Sequence, residues 1–348
     1  MQTKKIILSI GTLFLLALSA CEKYNQIDNN STVKTPFTLY MGGYDGTLRV
    51  TNDLLYYRTY FNTDNSVIRQ LIVADSVLNY IKKNHYYSED EAESFPKSSN
   101  SQSPLPYVDA FKKYYYPNTM QYFKEGDSVK EVFLCTNLDA DKATNGKLQV
   151  SYDLGRTFQN EARWTGASID PSSITQLDNK KLFIIADTIV YVKPNYASNW
   201  FEVIPNTGLP KIDTAFWYIA HSHDTLLAID FNGKHGVYWS SNEGVDWTKC
   251  SAMPTKKKIL FGNQADNAFF IGYDSLGLYK LEGTQFVNAS AGIPWYAKVS
   301  YLVGKQVVYR TDKIKKYLFC ATDIGLYISE NDGKDWRLHK DGTYSTLR

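Results

Sequence analysis

Acidic residues recur along this chain at a spacing that two quite different chemistries could use. Asp45, Asp75, Asn137, Asp187, Asp230, Asp274 and Asp323 each follow an apolar, β-prone run, and they average roughly 46 residues apart. If those runs are equivalent strands, one side chain per unit builds a ring able to hold a cation or the hydroxyls of a sugar. An Asp next to Gly or another small residue also starts a tight hairpin turn, which needs no ligand. The turn role is the expectation here, because a working site seldom draws on every repeat alike. Glycoside hydrolysis needs two carboxylates roughly 5–10 Å apart across the scissile bond. Acidic residues are too numerous for the sequence to single out such a pair, so the catalytic residues stay unassigned.

Other constellations are thinner. His221-Ser-His223-Asp224 places two imidazoles on one face of a strand, but no third metal ligand is identifiable and an exposed turn is the expectation. Asp139-Ala-Asp-Lys-Ala-Thr-Asn-Gly146 is rich in oxygen ligands, yet its spacing misses the calcium-loop template and lacks the terminal Glu. No cofactor and no metal are therefore expected, with Ca²⁺ the one ion the loop chemistry admits. Aromatic residues offer the better recognition chemistry, since flat rings stack on sugar faces or anchor a protein partner. Trp164, Trp217, Trp295 and Tyr296, together with Asp323, are the ligand-binding candidates. For each ring, burial in a core is the competing role.

The elements that must position these residues are short. Runs such as Tyr317-Leu-Phe-Cys-Ala-Thr-Asp323 and Gly325-Leu-Tyr-Ile328 are β-rich and separated by Asp/Gly turns, which predicts antiparallel strands. One turn pattern, Ser-x-[Asp/Asn]-x-Gly-x-x-[Trp/Phe], occurs three times: Ser151, Asp153, Gly155 and Phe158; Ser240, Asn242, Gly244 and Trp247; Ser329, Asn331, Gly333 and Trp336. Both intervals are 89 residues. The Asp or Asn can accept turn N–H groups, the Ser adds a hydroxyl bond, the Gly takes a positive φ, and the aromatic ring is expected to be buried.

The pattern resembles the Asp-box of sialidase-like (BNR-repeat) β-propellers. Gly208-Leu-Pro210 and Gly292-Ile-Pro294 resemble the linker of Asp-box propellers such as sortilin-type receptors, photosystem-assembly propellers and xyloglucanase-type hydrolases. The resemblance covers 118–340 well and 36–117 weakly. It implies an all-β fold, a seven-bladed β-propeller of four-stranded antiparallel blades, with six or eight blades as alternatives. The blades are expected at about 36–65, 66–116, 117–165, 172–205, 212–253, 256–290 and 296–340, with a polar insertion at about 84–116. The first blade lacks an innermost strand, which Gly342 to Leu347 can supply. The resemblance also implies that the boxes are structural and that ligands meet the opposite face, which carries the b–c and d–a loops (strands a to d run outward from the axis). Sialidase chemistry needs three clamping arginines. The eight arginines beyond residue 20 are Arg49, Arg58, Arg69, Arg156, Arg163, Arg310, Arg337 and Arg348, and no Phe/Tyr-Arg-Ile-Pro motif precedes the first clear box, so a sialidase is not expected.

Lys4, Lys5, the apolar run Ile6 to Leu18 and Leu18-Ser-Ala-Cys21 look like a bacterial lipoprotein signal. The expectation is a signal peptide over 1–20, a lipidated tether over 21–35 starting at Cys21, and one propeller domain over 36–348. Localisation follows as the bacterial cell envelope, lipid-anchored at the outer membrane, and the sequence does not choose the leaflet. Basic and acidic residues number 38 and 36 over the whole chain, and loss of 1–20 removes two lysines and no acid. That neutrality argues against nucleic acid as a partner. A glycan or an envelope protein fits better. The functional expectation is a non-catalytic, membrane-anchored binding or scaffold module, with a glycoside hydrolase using paired carboxylates on the b–c/d–a face as the alternative.

Overall fold

The computed structural model describes residues 37–60, 66–82, 85–90, 99–100, 118–136, 147–162, 164, 171–186, 188–198, 201–211, 215–254, 257–310 and 312–348. Cys21 and its tether, the 139–146 loop, Asn137, Asp187 and Arg163 lie outside the described residues.

Strands form where apolar runs are bounded by turn residues. The first blade holds β1 (Leu39–Gly43), β2 (Leu48–Thr51) and β3 (Arg58–Tyr60). The second holds β4 (Gln70–Ala74), β5 (Val77–Ile81) and β6 (His85–Ser88), followed by the short β7 (Ser99–Asn100). The third comprises β8 (Met120–Glu125), β9 (Ser128–Thr136), β10 (Lys147–Ser151) and β11 (Thr157–Asn160). The fourth comprises β12 (Pro171–Gln176), β13 (Leu182–Ala186), β14 (Ile189–Lys193) and β15 (Glu202–Ile204). The fifth comprises β16 (Trp217–Ser222), β17 (Thr225–Asp230), β18 (Val237–Ser240) and β19 (Thr248–Lys249). The sixth comprises β20 (Ile259–Ala265), β21 (Ala268–Tyr273), β22 (Leu278–Glu282) and β23 (Gln285–Asn288). The seventh comprises β24 (Val299–Val308), β25 (Ile314–Thr322), β26 (Gly325–Ser329) and β27 (Arg337–Asp341). A last strand, β28 (Tyr344–Leu347), pairs antiparallel with β1 and completes the first blade as its innermost strand.

The fold is all-β, seven blades of antiparallel sheet arranged as a β-propeller, and no helix occurs among the described residues. Innermost strands touch in ring order, β28 to β4, β8, β12, β16, β20 and β24, and β24 returns to β28. Closure leaves only short, protected strand edges. The core is divided between the blades. In β13, Leu182, Ile184 and Ala186 pack toward the third blade, while Phe183 and Ile185 pack toward the fifth. Burial on both faces is why such strands read as unbroken apolar runs rather than alternating ones. Near the axis, side chains stitch the innermost strands together, between neighbouring blades and, at Asn118, across one blade. The Gln70 amide bonds Met120 and Thr119, Asn118 donates to the Ile219 carbonyl, and Gln176 spans Lys124.

The second blade departs from the expected register. The apolar run before Asp75, expected to be equivalent to the runs before the other recurring acidic positions, belongs to the innermost strand β4, not to strand b. Asp75 therefore sits in the a–b turn at φ 51, bonding the Val129 N–H across the blade boundary. Strand b of that blade is β5, and Lys82 follows its end where other blades carry Asp or Asn. His85 to Ser88 is strand c, so the polar insertion begins later than residue 84. Of it, β7 is described, pairing in parallel with β11 of the third blade.

Candidate functional site at the channel mouths

The seven-blade geometry sorts the loops onto two faces. The a–b and c–d turns lie at one end of the strands, and the b–c turns and d–a links lie at the other. The three Ser-x-[Asp/Asn] turns are c–d turns. In each, the Ser hydroxyl donates to the Asp or Asn two residues on, at 2.6 Å for Ser151, 2.9 Å for Ser240 and 2.9 Å for Ser329. The same Ser oxygen accepts the Gly155, Gly244 or Gly333 N–H at 2.8, 2.9 and 2.9 Å. These glycines take φ of 97, 88 and 82°, a region that a Cβ would penalise. Phe158, Trp247 and Trp336 are buried between blades, and the Trp336 indole N–H donates to the Ala289 carbonyl of the preceding blade at 2.8 Å.

Two further turns share this bonding. Thr51 donates to Asp53 at 3.2 Å, and Ser88 donates to Asp90 at 2.8 Å, although neither stretch carries the Gly of the full pattern. In the fourth blade Lys193 takes the place of the Ser at the end of strand c. Its buried ammonium donates to the carbonyls of Asn195, Tyr196 and Ser198 and stands 3.7 Å from Glu131.

On the opposite face, Asp45, Asp230 and Asp323, which follow strand b, serve the backbone, whereas Asp274 accepts from the Ser275 hydroxyl at 3.2 Å. Asp230 is fully buried and accepts the N–H groups of Phe216, Asn232 and His235. Asp323 accepts the Lys298 N–H at 2.9 Å, pinning the start of its own blade's innermost strand. Burial would raise the Asp45 pKa, but bonds from the Thr47 hydroxyl and N–H, aided by Arg49, hold it below the usual carboxylate range.

The aromatic candidates scatter. Trp164 packs 4.6 Å from Tyr191 and 5.7 Å from Phe201 at a blade boundary. Trp217 is 2 % exposed and sits in the core between the fourth and fifth blades, its ring edge-on to Tyr238. Trp295 and Tyr296 are 76 % and 55 % exposed and meet edge-to-face on the link into β24. None of these four rings, nor Asp323, lines a cavity at either channel mouth.

Two cavities do occupy the axis. At the end where the innermost strands begin, a cavity of about 380 Å³ is walled by Tyr44, Val67, Ile81, Phe231, Leu260 and Tyr301, with Arg69, Lys258, Lys298 and Asp274 among its charged groups. Its polar wall groups are engaged within the protein: Tyr44 with Ser300 at 2.6 Å, Ser345 with the Gly42 and Ile68 carbonyls, and Gln70 and Asn118 as above. At the other end, a cavity of about 360 Å³ is polar, lined by Gln121, Gln176, His221, Asn263, Asp178 and Arg348 among others. Burial holds the His221 imidazole below its usual pKa, and Thr175 bonds it at 2.7 Å. His223 instead meets Asp178 at 3.1 Å in the turn, so the two imidazoles do not converge. Sequence reasoning missed the residues of the first of these cavities, the upper one, because they come in ones to threes from the ends of many strands; the other is the lower cavity. The visible trace was the cation just before an apolar run, as in Lys258-Ile259-Leu260 and Lys298-Val299-Ser300-Tyr301.

No family model and no curated protein matches the chain. Solved structures match it by fold. YCF48 bound to D1 peptide superposes with a TM-score of 0.52 at 11 % identity, covering 78 % of this chain and 81 % of that one. YCF48 from Cyanidioschyzon merolae gives 0.52 at 13 %, covering 80 % and 86 %. An ancestral GH74 enzyme gives 0.52 at 12 %, covering 80 % of this chain but 38 % of that one. A binding protein and a hydrolase thus share the architecture of this chain, and the likeness is one of fold alone.

Proposed function

We propose that this chain is a non-catalytic binding propeller of the Asp-box kind, held at a bacterial envelope membrane by lipid on Cys21, that engages an envelope protein or glycan at the upper channel mouth. The observation that carries the reading is the composition of that mouth. Its wall is largely apolar and aromatic, and Asp274 is the one carboxylate among its described lining residues. A two-carboxylate hydrolysis has one lining group to draw on there. The neighbouring acids Asp230 and Asp323 are engaged by backbone N–H groups. In this reading the five Ser/Thr-x-[Asp/Asn] turns are structural, and the exposed Trp295–Tyr296 pair is a second, aromatic contact for the partner.

The test combines binding and turnover. The purified domain is presented with envelope glycans and envelope proteins while reducing-sugar release is followed. Saturable binding without release is expected, and sustained release would overturn the reading. Cys21→Ala is expected to move the protein from the membrane fraction to the soluble one.

A further inference from the structure

We infer that the upper cavity selects a ligand that carries a carboxylate on an apolar body, either a fatty acid or the free C-terminus of an apolar peptide. This rests on the binding reading above and narrows it. Three observations converge on it.

The first is the balance of charge. Arg69, Lys258 and Lys298 line the cavity against Asp274, although the chain as a whole is nearly neutral. The polar cavity at the other end carries Lys124, Lys180 and Arg348 against Asp178 and Asp266, so the cationic excess is stronger at the upper mouth. The second is which groups are still open to a ligand. The Tyr44, Thr119, Ser300 and Ser345 hydroxyls and the Gln70 and Asn118 amides of the wall are engaged in bonds within the protein, so an uncharged, hydroxyl-rich ligand would have to compete for them. The Lys258 and Lys298 side chains are exposed, and neither ammonium meets an acceptor among the described residues. The Lys258 ammonium stands 6.0 Å from the centre of the Phe231 ring, which places a cation directly beside apolar wall. The third is shape. About 380 Å³ lies within the range of small-ligand sites, and Val67, Ile81, Leu260 and Phe231 supply apolar surface for a chain to cover. An anion at the rim and an apolar segment inward satisfy both parts of the wall at once.

The experiment uses calorimetry on the purified domain with matched pairs: octanoate against octanamide, and a short apolar peptide as its free acid against its C-terminal amide. Each carboxylate is expected to bind about tenfold or more tighter than its neutral partner. Lys258→Met with Lys298→Met is expected to erase that preference while leaving the weak binding of the neutral partner in place. An unchanged thermal midpoint shows that the variant still folds. Preference in the octanoate pair alone identifies a lipid acid, and in the peptide pair alone a C-terminus. Equal affinity within both pairs, or a preference that survives the double substitution, overturns the inference. Should envelope proteins or glycans still bind saturably in that case, the broader binding reading stands without it; if they too fail to bind, both fall.

Discussion

His85 is 1 % exposed, has its ring edge-on to Phe158 at 4.8 Å, and is held down to a pKa of about 3 by burial. An unfolded imidazole takes up its proton below about 6.5, whereas the folded one stays neutral until about 3. The unfolded state therefore binds more protons through that window. Stability is complete above about pH 6.5 and falls by about 1.4 kcal/mol for each pH unit below it, until the folded site titrates. His339, lowered to about 4 chiefly by burial, adds to the same trend. Urea midpoints at about pH 7 and about pH 5 should show a clear acid loss in the native chain and a smaller one in His85→Leu. Identical losses would assign the effect elsewhere. Nothing in the sequence marked His85, because its burial depends on Phe158 arriving from the next blade.

Among elements, the c–d turns separate what is local from what is not. Ser329, Asn331, Gly333 and Trp336 were legible because the turn's hydroxyl, amide and positive φ are satisfied within a few residues. Ser88-Glu-Asp90 makes the same hydroxyl bond but stands in an acidic run, so it read as the edge of an insertion. Lys193 was invisible for another reason, since an ammonium reaching three carbonyls replaces the hydroxyl without resembling it. The Asp75 register slipped because strands a and b are both buried on both faces, so neither carries a period that tells them apart. Trp336→Ala removes a buried ring and an indole bond to the preceding blade, and about 3–5 kcal/mol of stability should go with it. Ser88→Ala, which loses the turn bond to Asp90, should cost about 0.5–1.5 kcal/mol. Denaturant midpoints rank the two; an unchanged midpoint for Trp336→Ala would remove the ring from its supporting role.

At the scale of the whole molecule, seven blades and their closure were readable from the repeat, whereas the upper cavity was not, because its wall gathers one or two residues from many strands. Closure itself depends on β28 lying against β1, Met41 opposite Leu347 and Gly42 opposite Thr346. A chain ending at residue 342 should lose its single cooperative unfolding transition, which calorimetry would detect. The same pairing sets the face at which the described chain begins. Leu39 lies at the lower end of β1, where the Tyr40 N–H meets the Arg348 carbonyl and Arg348 lines the lower cavity. A chain entering there from a lipid on Cys21 arrives on the face of the a–b and c–d turns. Residues 22–36 span at most on the order of 50 Å when fully extended. If lipid on Cys21 brings the face of the a–b and c–d turns to the bilayer, the upper cavity faces away from it. Cys135, Cys250 and Cys320 are buried and burial pushes their thiols up, Cys250 to about 12, so an introduced surface thiol can be labelled selectively. A fluorophore at Tyr152→Cys, on an exposed c–d turn, should be quenched more strongly by a membrane-bound quencher than one at Lys258→Cys beside the upper cavity. The reverse order would place the cavity against the membrane, and a partner would then have to come from the lipid side.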